Sequence, residues 1–288
     1  MNEITVITGP TASGKSAYAI GLALKTGAEI VSADSMQIYR HMDVGAAKTP
    51  PGERAGVPHH MIDVADPDER FSVADYQRVA NACIADILAR GRNVIVAGGT
   101  GLYISALIYN TRFPAYKPDP ELRARLAQRA AEIGAEGLHA ELAAVDAEAA
   151  AKIHTNDIKR ATRALEVYYA TGATISEHAR LSRAAPPPYE YRVYCMDVAR
   201  DELYRRIDAR VDAMIRLGLE AEARAIFDRY GRGGTAAQAI GYKEFLPYFD
   251  GLRTLPETVD TIKMETRRYA KRQMTWFRQI SGITFVSC

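Results

Sequence analysis

Residues 9–16 read Gly9-Pro10-Thr11-Ala12-Ser13-Gly14-Lys15-Ser16, and this stretch decides the fold. It follows an apolar run, Ile4–Ile7, that predicts a buried strand, and it opens a helical segment over Ser16–Lys25. Two glycines, a lysine and a hydroxyl at this spacing, between a strand and a helix, predict a P-loop. Backbone N–H groups and the helix N-terminus would bind a phosphate, and the Ser16 hydroxyl can ligate Mg²⁺. The loop alone does not distinguish a nucleoside triphosphate from an organic diphosphate.

The composition is that of an ordinary globular protein, with 288 residues, of which 48% are hydrophobic and 25% charged. This length predicts one large domain, or a core with a second lobe. The net charge of +2 does not by itself indicate a nucleic-acid partner. Cys83, Cys195 and Cys288 are far apart, which argues against a disulfide framework or a thiolate metal site. With no signal peptide and no apolar run of membrane length, we expect a cytoplasmic protein without a membrane partner.

A carboxylate follows the second predicted strand, Glu29–Ser32, at Asp34. Open α/β sheets bind ligands beyond the carboxyl ends of their strands, so Asp34 is expected near the P-loop. One interpretation is a general base or an Mg²⁺-associated carboxylate. The other is a helix N-cap or a turn residue, which aspartate often provides.

The next apolar strand, Asn93–Ala97, ends in Gly98-Gly99-Thr100-Gly101. Many P-loop enzymes place an Mg²⁺-binding aspartate at this point, and here it is replaced by Gly-Gly-Thr. The glycines allow the backbone to approach a ligand, and Thr100 can donate a hydroxyl hydrogen bond to it. Alternatively, Thr100 is a simple helix N-cap.

A long helical segment separates this strand from the next one. Residues from Pro120 to about Leu181 have a helical pattern, and the following strand is predicted at Tyr191–Val198. The fold class is therefore α/β: a P-loop core with a parallel sheet flanked by helices, plus an inserted all-helical lobe. We expect the core at residues 1–115 and 191–288, and the lobe at 116–190.

Two helices carry clusters of basic residues. Lys159, Arg160 and Arg163 share one face of a predicted helix, and a helix over Pro256–Gln279 combines arginines with aromatic residues. Either cluster could bind a phosphate backbone, but a solvated helix surface explains the same patterns. The adjacent His59 and His60 are interpreted as loop residues, because no further ligands lie at zinc spacing.

Taken in order, these stretches resemble the tRNA dimethylallyltransferase (tRNA isopentenyltransferase) family, in its bacterial form. Besides the P-loop, the resemblance rests on these blocks: Ser32–Lys48, Pro58–Asp63, Gly98–Tyr103, Asn156–Glu166, Ala239–Glu244 and Lys271–Arg278. It covers nearly the whole chain. The sequence departs from the family in two places, with Ser16 where many members have Thr and Lys159 where many have Gln.

The resemblance implies transfer of a dimethylallyl group from dimethylallyl diphosphate to the exocyclic amine of the adenosine 3′-adjacent to the anticodon, with release of pyrophosphate. It implies that residues 9–16 bind the diphosphate with Mg²⁺ near Ser16. It makes Asp34 the catalytic base, and it places Thr100 on the bridging oxygen and near the tRNA.

The resemblance also implies contacts with the tRNA anticodon stem-loop. A flipped adenine would lie against Asp34, Ser35, Met36 and Gln37, and Arg123 would contact the RNA. The helical lobe would bind the stem-loop through Lys159, Arg160, Ala161, Thr162 and Arg163. We expect a monomer.

Three other functions share part of this pattern. A nucleoside kinase would use the same P-loop and Asp34, but it would not need a basic helical lobe. A prenyltransferase acting on free adenine nucleotides would use the same chemistry, and the lobe would then have no evident purpose. A non-catalytic RNA-binding module would not need Lys15, Asp34 and Thr100 together.

Overall fold

The structure is a computed structural model that describes residues 3–113, 119–182 and 186–287. The predicted boundary between residues 115 and 116, and Cys288, lie outside the described residues. The chain divides into a core unit, Met1–Ile108 with Pro188–Cys288, and a helical unit, Tyr109–Pro187.

Within the described residues, the core unit contains one six-stranded sheet in which all strands are parallel. The strands are β1 (Glu3–Thr8), β2 (Ala28–Ser32), β3 (His59–His60), β4 (Asn93–Gly98), β5 (Glu190–Asp197) and β6 (Thr284–Ser287). Their order across the sheet is β3-β2-β4-β1-β5-β6. The carboxyl ends of β1, β2 and β4 are therefore neighbours at one edge, which is where ligands bind in such sheets.

Alternating side chains of the strands bury both faces of this sheet, as expected for parallel strands. On one face, Ile7, Ile30 and Ile95 pack against the alanines of the helix that follows the P-loop. On the other face, Val6 and Val96 belong to the large core formed with the remaining helices.

In the part of the chain that the structure describes, eight helices of the core unit flank the sheet, and two of them begin at side-chain caps. They are α1 (Lys15–Thr26), α2 (Val73–Ala89), α3 (Gly101–Ile108), α8 (Arg200–Arg216), α9 (Leu219–Tyr230), α10 (Gly234–Ala237), α11 (Leu246–Phe249) and α12 (Leu255–Phe277). Ser72 with Asp75, and Thr254 with Glu257, form complete capping boxes at the starts of α2 and α12. Short 3₁₀ turns cover Pro51–Glu53 and Lys243–Phe245.

The helical unit has its own hydrophobic core. Its helices are α4 (Pro120–Val145), α5 (Ala147–Lys152), α6 (Ile158–Thr171) and α7 (Ile175–Ser182). A break at Gly134, whose φ is 70°, divides α4 into two segments. Leu138, Leu142 and Leu165 are fully buried at the centre of this core.

The fold class predicted from the sequence is confirmed. The strand β3 was not predicted, because two residues carry no periodicity; it pairs with Ile30 and Val31 of β2. Across the described residues, none of the helices is long and apolar enough to span a membrane.

Candidate active site

A cavity of about 260 Å³ lies at the carboxyl edge of the sheet, inside the core unit. Its polar wall includes Lys15, Ser16, Asp34, Gln37 and Arg210. Its apolar wall comes from α8, the segment before the second 3₁₀ turn, and α12; the residues are Ile207, Val211, Met214, Ile240 and Ile262. The cavity thus offers two cations and a carboxylate next to a hydrocarbon surface.

The P-loop brings Lys15 and Ser16 to this cavity at the first turn of α1. Burial and the positive charge of Arg210 lower the pKa of the Lys15 ammonium to about 8, although the charge of Asp34 opposes this. Its Nζ lies 3.4 Å from the Pro10 carbonyl oxygen. Among the described residues, the buried Ser13 hydroxyl has no hydrogen-bond partner. An unsatisfied buried hydroxyl beside a lysine favours an anionic ligand in this loop.

Asp34 lies in a turn directly after β2, and its carboxylate lines the cavity. Its Oδ1 accepts a hydrogen bond of 2.9 Å from the Met36 amide, which is an Asx turn. In the described part of the chain, no regular helix begins at this residue, so of the two structural interpretations the helix N-cap fails and the turn residue is confirmed. The other oxygen, Oδ2, has no hydrogen-bond partner among the described residues, which leaves it for a ligand.

Thr100 links the end of β4 to the turn that carries Asp34. Its Oγ1 accepts a hydrogen bond of 2.9 Å from the Ser35 amide, and its own amide donates to the Ala33 carbonyl at 3.0 Å. Gly98 makes this approach possible, because a Cβ there would lie 2.2 Å from the Ala33 oxygen. The Gly-Gly-Thr sequence therefore allows the end of β4 and the turn after β2 to lie in direct contact, next to the cavity.

Sequence reasoning missed three residues of α8 and α12 at this cavity. The Arg210 guanidinium meets no hydrogen-bond partner among the described residues, and burial lowers its pKa while Asp34 opposes the shift. Tyr269 lines the cavity near Asp34, and burial raises the pKa of its hydroxyl. A signal for Arg210 was present, since it lies three residues after Ile207 on a predominantly apolar face.

The third missed residue, Gln273, connects the P-loop to the end of β4. Its Oε1 accepts from the Thr11 amide at 2.9 Å, and its Nε2 donates to the Gly99 carbonyl at 2.8 Å. The side chain is buried, so both ends of the amide are occupied by backbone groups. Gln273 therefore holds the phosphate loop and the Gly-Gly-Thr turn in one arrangement.

The other predicted RNA-contact residues lie in the helical unit. The buried carboxylate of Glu166 binds Arg123 at 2.6 Å and Arg163 at 2.9 Å, and both guanidinium groups stay partly exposed. Lys159 and Arg160 are exposed at the start of α6, where Arg160 also pairs with Asp157.

Two further residues of the predicted RNA-contact segment differ from these in exposure. Thr162 is half-buried, whereas the Ala161 side chain is 1% exposed and packs in the core of the helical unit. Ala161 could therefore meet an RNA only through its backbone.

The two adjacent histidines have structural partners. His59 Nδ1 lies 2.8 Å from the Val57 carbonyl, and His60 Nε2 lies 2.7 Å from the buried carboxylate of Glu29. Arg90 binds the same carboxylate with two nitrogens. Within residues 3–113, 119–182 and 186–287, no group of three His, Cys, Asp or Glu side chains could hold a metal ion.

Comparison with known proteins now adds to this geometry. The family model described as IPP transferase matches residues 37–280. The chain belongs to the IPP transferase family. Among curated relatives of this family, a tRNA dimethylallyltransferase of Geobacillus thermodenitrificans is 52% identical over 96% of this chain and 87% of its own length. The tRNA dimethylallyltransferase of Acetivibrio thermocellus is 47% identical over 100% of this chain and 92% of its own.

Solved structures of the IPP transferase family share the fold. The tRNA isopentenylpyrophosphate transferase of Bacillus halodurans matches with a TM-score of 0.74 and 42% identity, over 100% of this chain and 90% of its own. A eukaryotic dimethylallyltransferase described as acting on tRNA matches with a TM-score of 0.85 and 30% identity, over 100% of this chain and 74% of its own.

Proposed function

We propose that this member of the IPP transferase family transfers a dimethylallyl group from dimethylallyl diphosphate to a tRNA. The acceptor is the exocyclic amine of the adenosine 3′-adjacent to the anticodon, and pyrophosphate is released. The observation that carries this proposal is the composition of the cavity, in which Lys15, Arg210 and Asp34 lie opposite an apolar wall. Such a site suits a donor with an anionic head and a hydrocarbon tail.

The diphosphate would bind at the P-loop, residues 9–16. Lys15 and Arg210 would neutralise its charge, and the unpartnered Ser13 hydroxyl would gain an acceptor. Mg²⁺ fits this site, because the Ser16 hydroxyl and the diphosphate oxygens are the hard ligands it prefers, and it commonly takes few from the protein. When bound, the ion would stabilise negative charge on the leaving pyrophosphate.

The transfer forms a bond between the amine nitrogen and the allylic carbon and breaks the bond from that carbon to oxygen. The bonding pair leaves with the diphosphate, where Lys15 and Arg210 stabilise the growing charge. An adenine amine is a weak nucleophile, so a base that takes its proton assists the attack. Asp34 fills this role, and the Thr100 hydroxyl, which donates to the Ser35 hydroxyl at 3.2 Å, would turn to donate to the bridging oxygen.

The RNA side of the proposal involves both units. The acceptor adenine must leave its stack to enter a cavity, where Asp34 to Gln37 would surround it. The helical unit would contact the anticodon stem-loop through the exposed Lys159 and Arg160, and through the Arg123–Glu166–Arg163 cluster, which carries a net positive charge. We propose that the protein acts as a monomer.

The proposal is tested with purified protein, unmodified tRNA, labelled dimethylallyl diphosphate and Mg²⁺. We expect label to enter the tRNA, and Asp34→Asn to remove most turnover while the affinity for tRNA changes little. Asp197→Asn, at the end of β5, is the matched control. Absence of label in any adenosine-containing tRNA would refute the function, and phosphorylation of a nucleoside by ATP would support a kinase instead. Loss of tRNA binding by Asp34→Asn, with an unchanged rate per complex, would refute the role of Asp34 as the base.

A further inference from the structure

The carboxylate of Glu222, at the start of α9, holds a loop that sequence analysis did not connect with it. The amides of Asp43 and Val44 donate to its Oε2 at 2.8 Å each, and the Gly45 amide donates to its Oε1 at 2.8 Å. The Tyr242 hydroxyl donates to the same Oε1 at 2.6 Å. Successive backbone N–H groups that converge on an anion form a nest. Here the protein supplies the anion itself, from a residue 177 positions away from Gly45.

Tyr242 contacts both the Glu222 carboxylate and the loop backbone. Its side chain is fully buried, and burial and the charge of Glu222 both raise the pKa of its hydroxyl, so it stays a donor at neutral pH. The loop lies directly on its ring, because a Cβ at Gly45 would be 2.4 Å from a ring carbon. Only glycine allows this approach at position 45.

Lys48 anchors the other end of the same loop. Its Nζ donates to the Tyr39 carbonyl at 2.7 Å and pairs with Asp63 at 2.6 Å, and its side chain is 5% exposed. Between the two anchors, Gly45 and Ala46 line the cavity of the proposed active site. Lys48 also pairs with Asp43 at 2.7 Å, so Glu222 and Lys48 together fix the position of this part of the cavity wall.

The loop in turn orients the side-chain amide of Gln37, which also lines the cavity. Its Nε2 faces the carbonyl oxygens of Ala46 and Ala47 at 3.4 and 3.5 Å, and its Oε1 accepts from the Ser32 hydroxyl at 3.0 Å. Carbonyl oxygens accept hydrogen bonds only, so they determine which end of the amide carries the nitrogen. One lone pair of the Gln37 Oε1 remains for a ligand, and Nε2 can turn one N–H from its long loop contacts to a base.

A glutamine amide held in one orientation distinguishes the two purines. Adenine presents an amino donor beside a ring-nitrogen acceptor, which matches the oxygen and nitrogen of a glutamine. Guanine presents a carbonyl acceptor beside an N–H donor on the corresponding edge, so the amide would have to flip. A flip would place the Gln37 oxygen against the two loop carbonyls.

We propose that Glu222 is a positioning residue that, through the loop Asp43–Ala47, fixes the Gln37 amide in the orientation that selects adenine. This inference rests on the proposed function, and it adds a residue that determines base specificity. Glu222 is not among the residues that line the cavity, and it acts through the loop backbone.

The test compares Glu222→Gln with the wild type in binding to two anticodon stem-loops, with adenosine or guanosine 3′ of the anticodon. We expect the wild type to prefer adenosine by about tenfold or more, since a matched amide–base pair gives that discrimination. The variant keeps the side-chain volume but places an NH₂ group against amide donors, so the preference should fall to nearly one. Hydrogen exchange at the amides of Asp43 to Gly45 should become faster. Glu220→Gln, on the same helix, is the matched control and should change neither the adenosine preference nor the hydrogen exchange of these amides.

Tyr242→Phe provides a second variant that leaves the loop amides and Glu222 in place. Tyr242→Phe removes one of the four hydrogen bonds to the Glu222 carboxylate, so we expect a smaller loss of adenosine preference than in Glu222→Gln. If Glu222→Gln does not fold, the adenosine preference of Tyr242→Phe provides the test. An unchanged adenosine preference in the folded variants would overturn the inference, even with faster exchange. A wild type that neither prefers adenosine nor forms product would refute the proposed function instead.

Discussion

The lowered pKa of Lys15 predicts an alkaline limit to the use of dimethylallyl diphosphate. The pKa of its ammonium group is about 8, compared with an ordinary value of 10.5, because of burial and the nearby Arg210. With that pKa, about nine-tenths of the free enzyme carries a charged Lys15 at pH 7, and about one-tenth does so at pH 9. Since the charged form binds the donor, kcat/KM for dimethylallyl diphosphate should fall about tenfold between these values.

The assay is the pH profile of kcat/KM for the donor at saturating tRNA, with circular dichroism at each pH as the control for folding. Lys15→Arg keeps a charge at all these pH values, so its profile, although lower, should have no break near pH 8. Arg210→Met removes the positive neighbour and should move the break to higher pH. Lys25→Arg, at the exposed end of α1, should reproduce the wild-type profile. A wild-type profile that stays flat through pH 9 would refute the electrostatic argument.

Three further substitutions test the fold and the site. Glu29→Gln should destabilise the protein by about 2 kcal/mol at pH 7, because Arg90 and His60 hold the pKa of Glu29 at about 2. The urea-unfolding difference should shrink as pH falls from about 4.5 towards 2, where the native carboxylate also gains its proton. Gln273→Glu removes the N–H group that binds the Gly99 carbonyl and adds a negative charge beside the P-loop, so KM for dimethylallyl diphosphate should rise about tenfold. The control Gln279→Glu should leave this KM unchanged. Arg160→Glu should weaken tRNA binding and lower its salt slope by about one, whereas Lys152→Glu should not.

The site residues that come immediately after a strand could be predicted from the sequence. The P-loop after β1 and the Gly-Gly-Thr turn after β4 could be located because each strand is an apolar run with a sharp end. Asp34 could be placed near them by the rule for parallel sheets. The structure shows that Asp34 is a turn residue and that its carboxylate also lines the cavity, so the structural and the catalytic interpretation apply to the same residue.

The contacts made by distant helices could not be predicted. Gln273 reaches Thr11 across 262 residues, and this depends on how α12 packs onto the sheet, which no local pattern encodes. The same holds for Arg210, which α8 brings to the cavity, and for Glu222 on α9. In the helical unit, the basic face of α6 was visible in the sequence. The pairing of Glu166 with Arg123 was not, because that contact depends on how α4 packs against α6.

The most direct test of the central claim is mass spectrometry of nucleosides from tRNA that has been incubated with the protein, dimethylallyl diphosphate and Mg²⁺. We predict that adenosine gains the mass of one dimethylallyl group on its exocyclic amine, that the modified residue is the one 3′ of the anticodon, and that Asp34→Asn forms far less of this product. An unmodified adenosine in every tRNA tested, or the group attached at another position, would contradict the account.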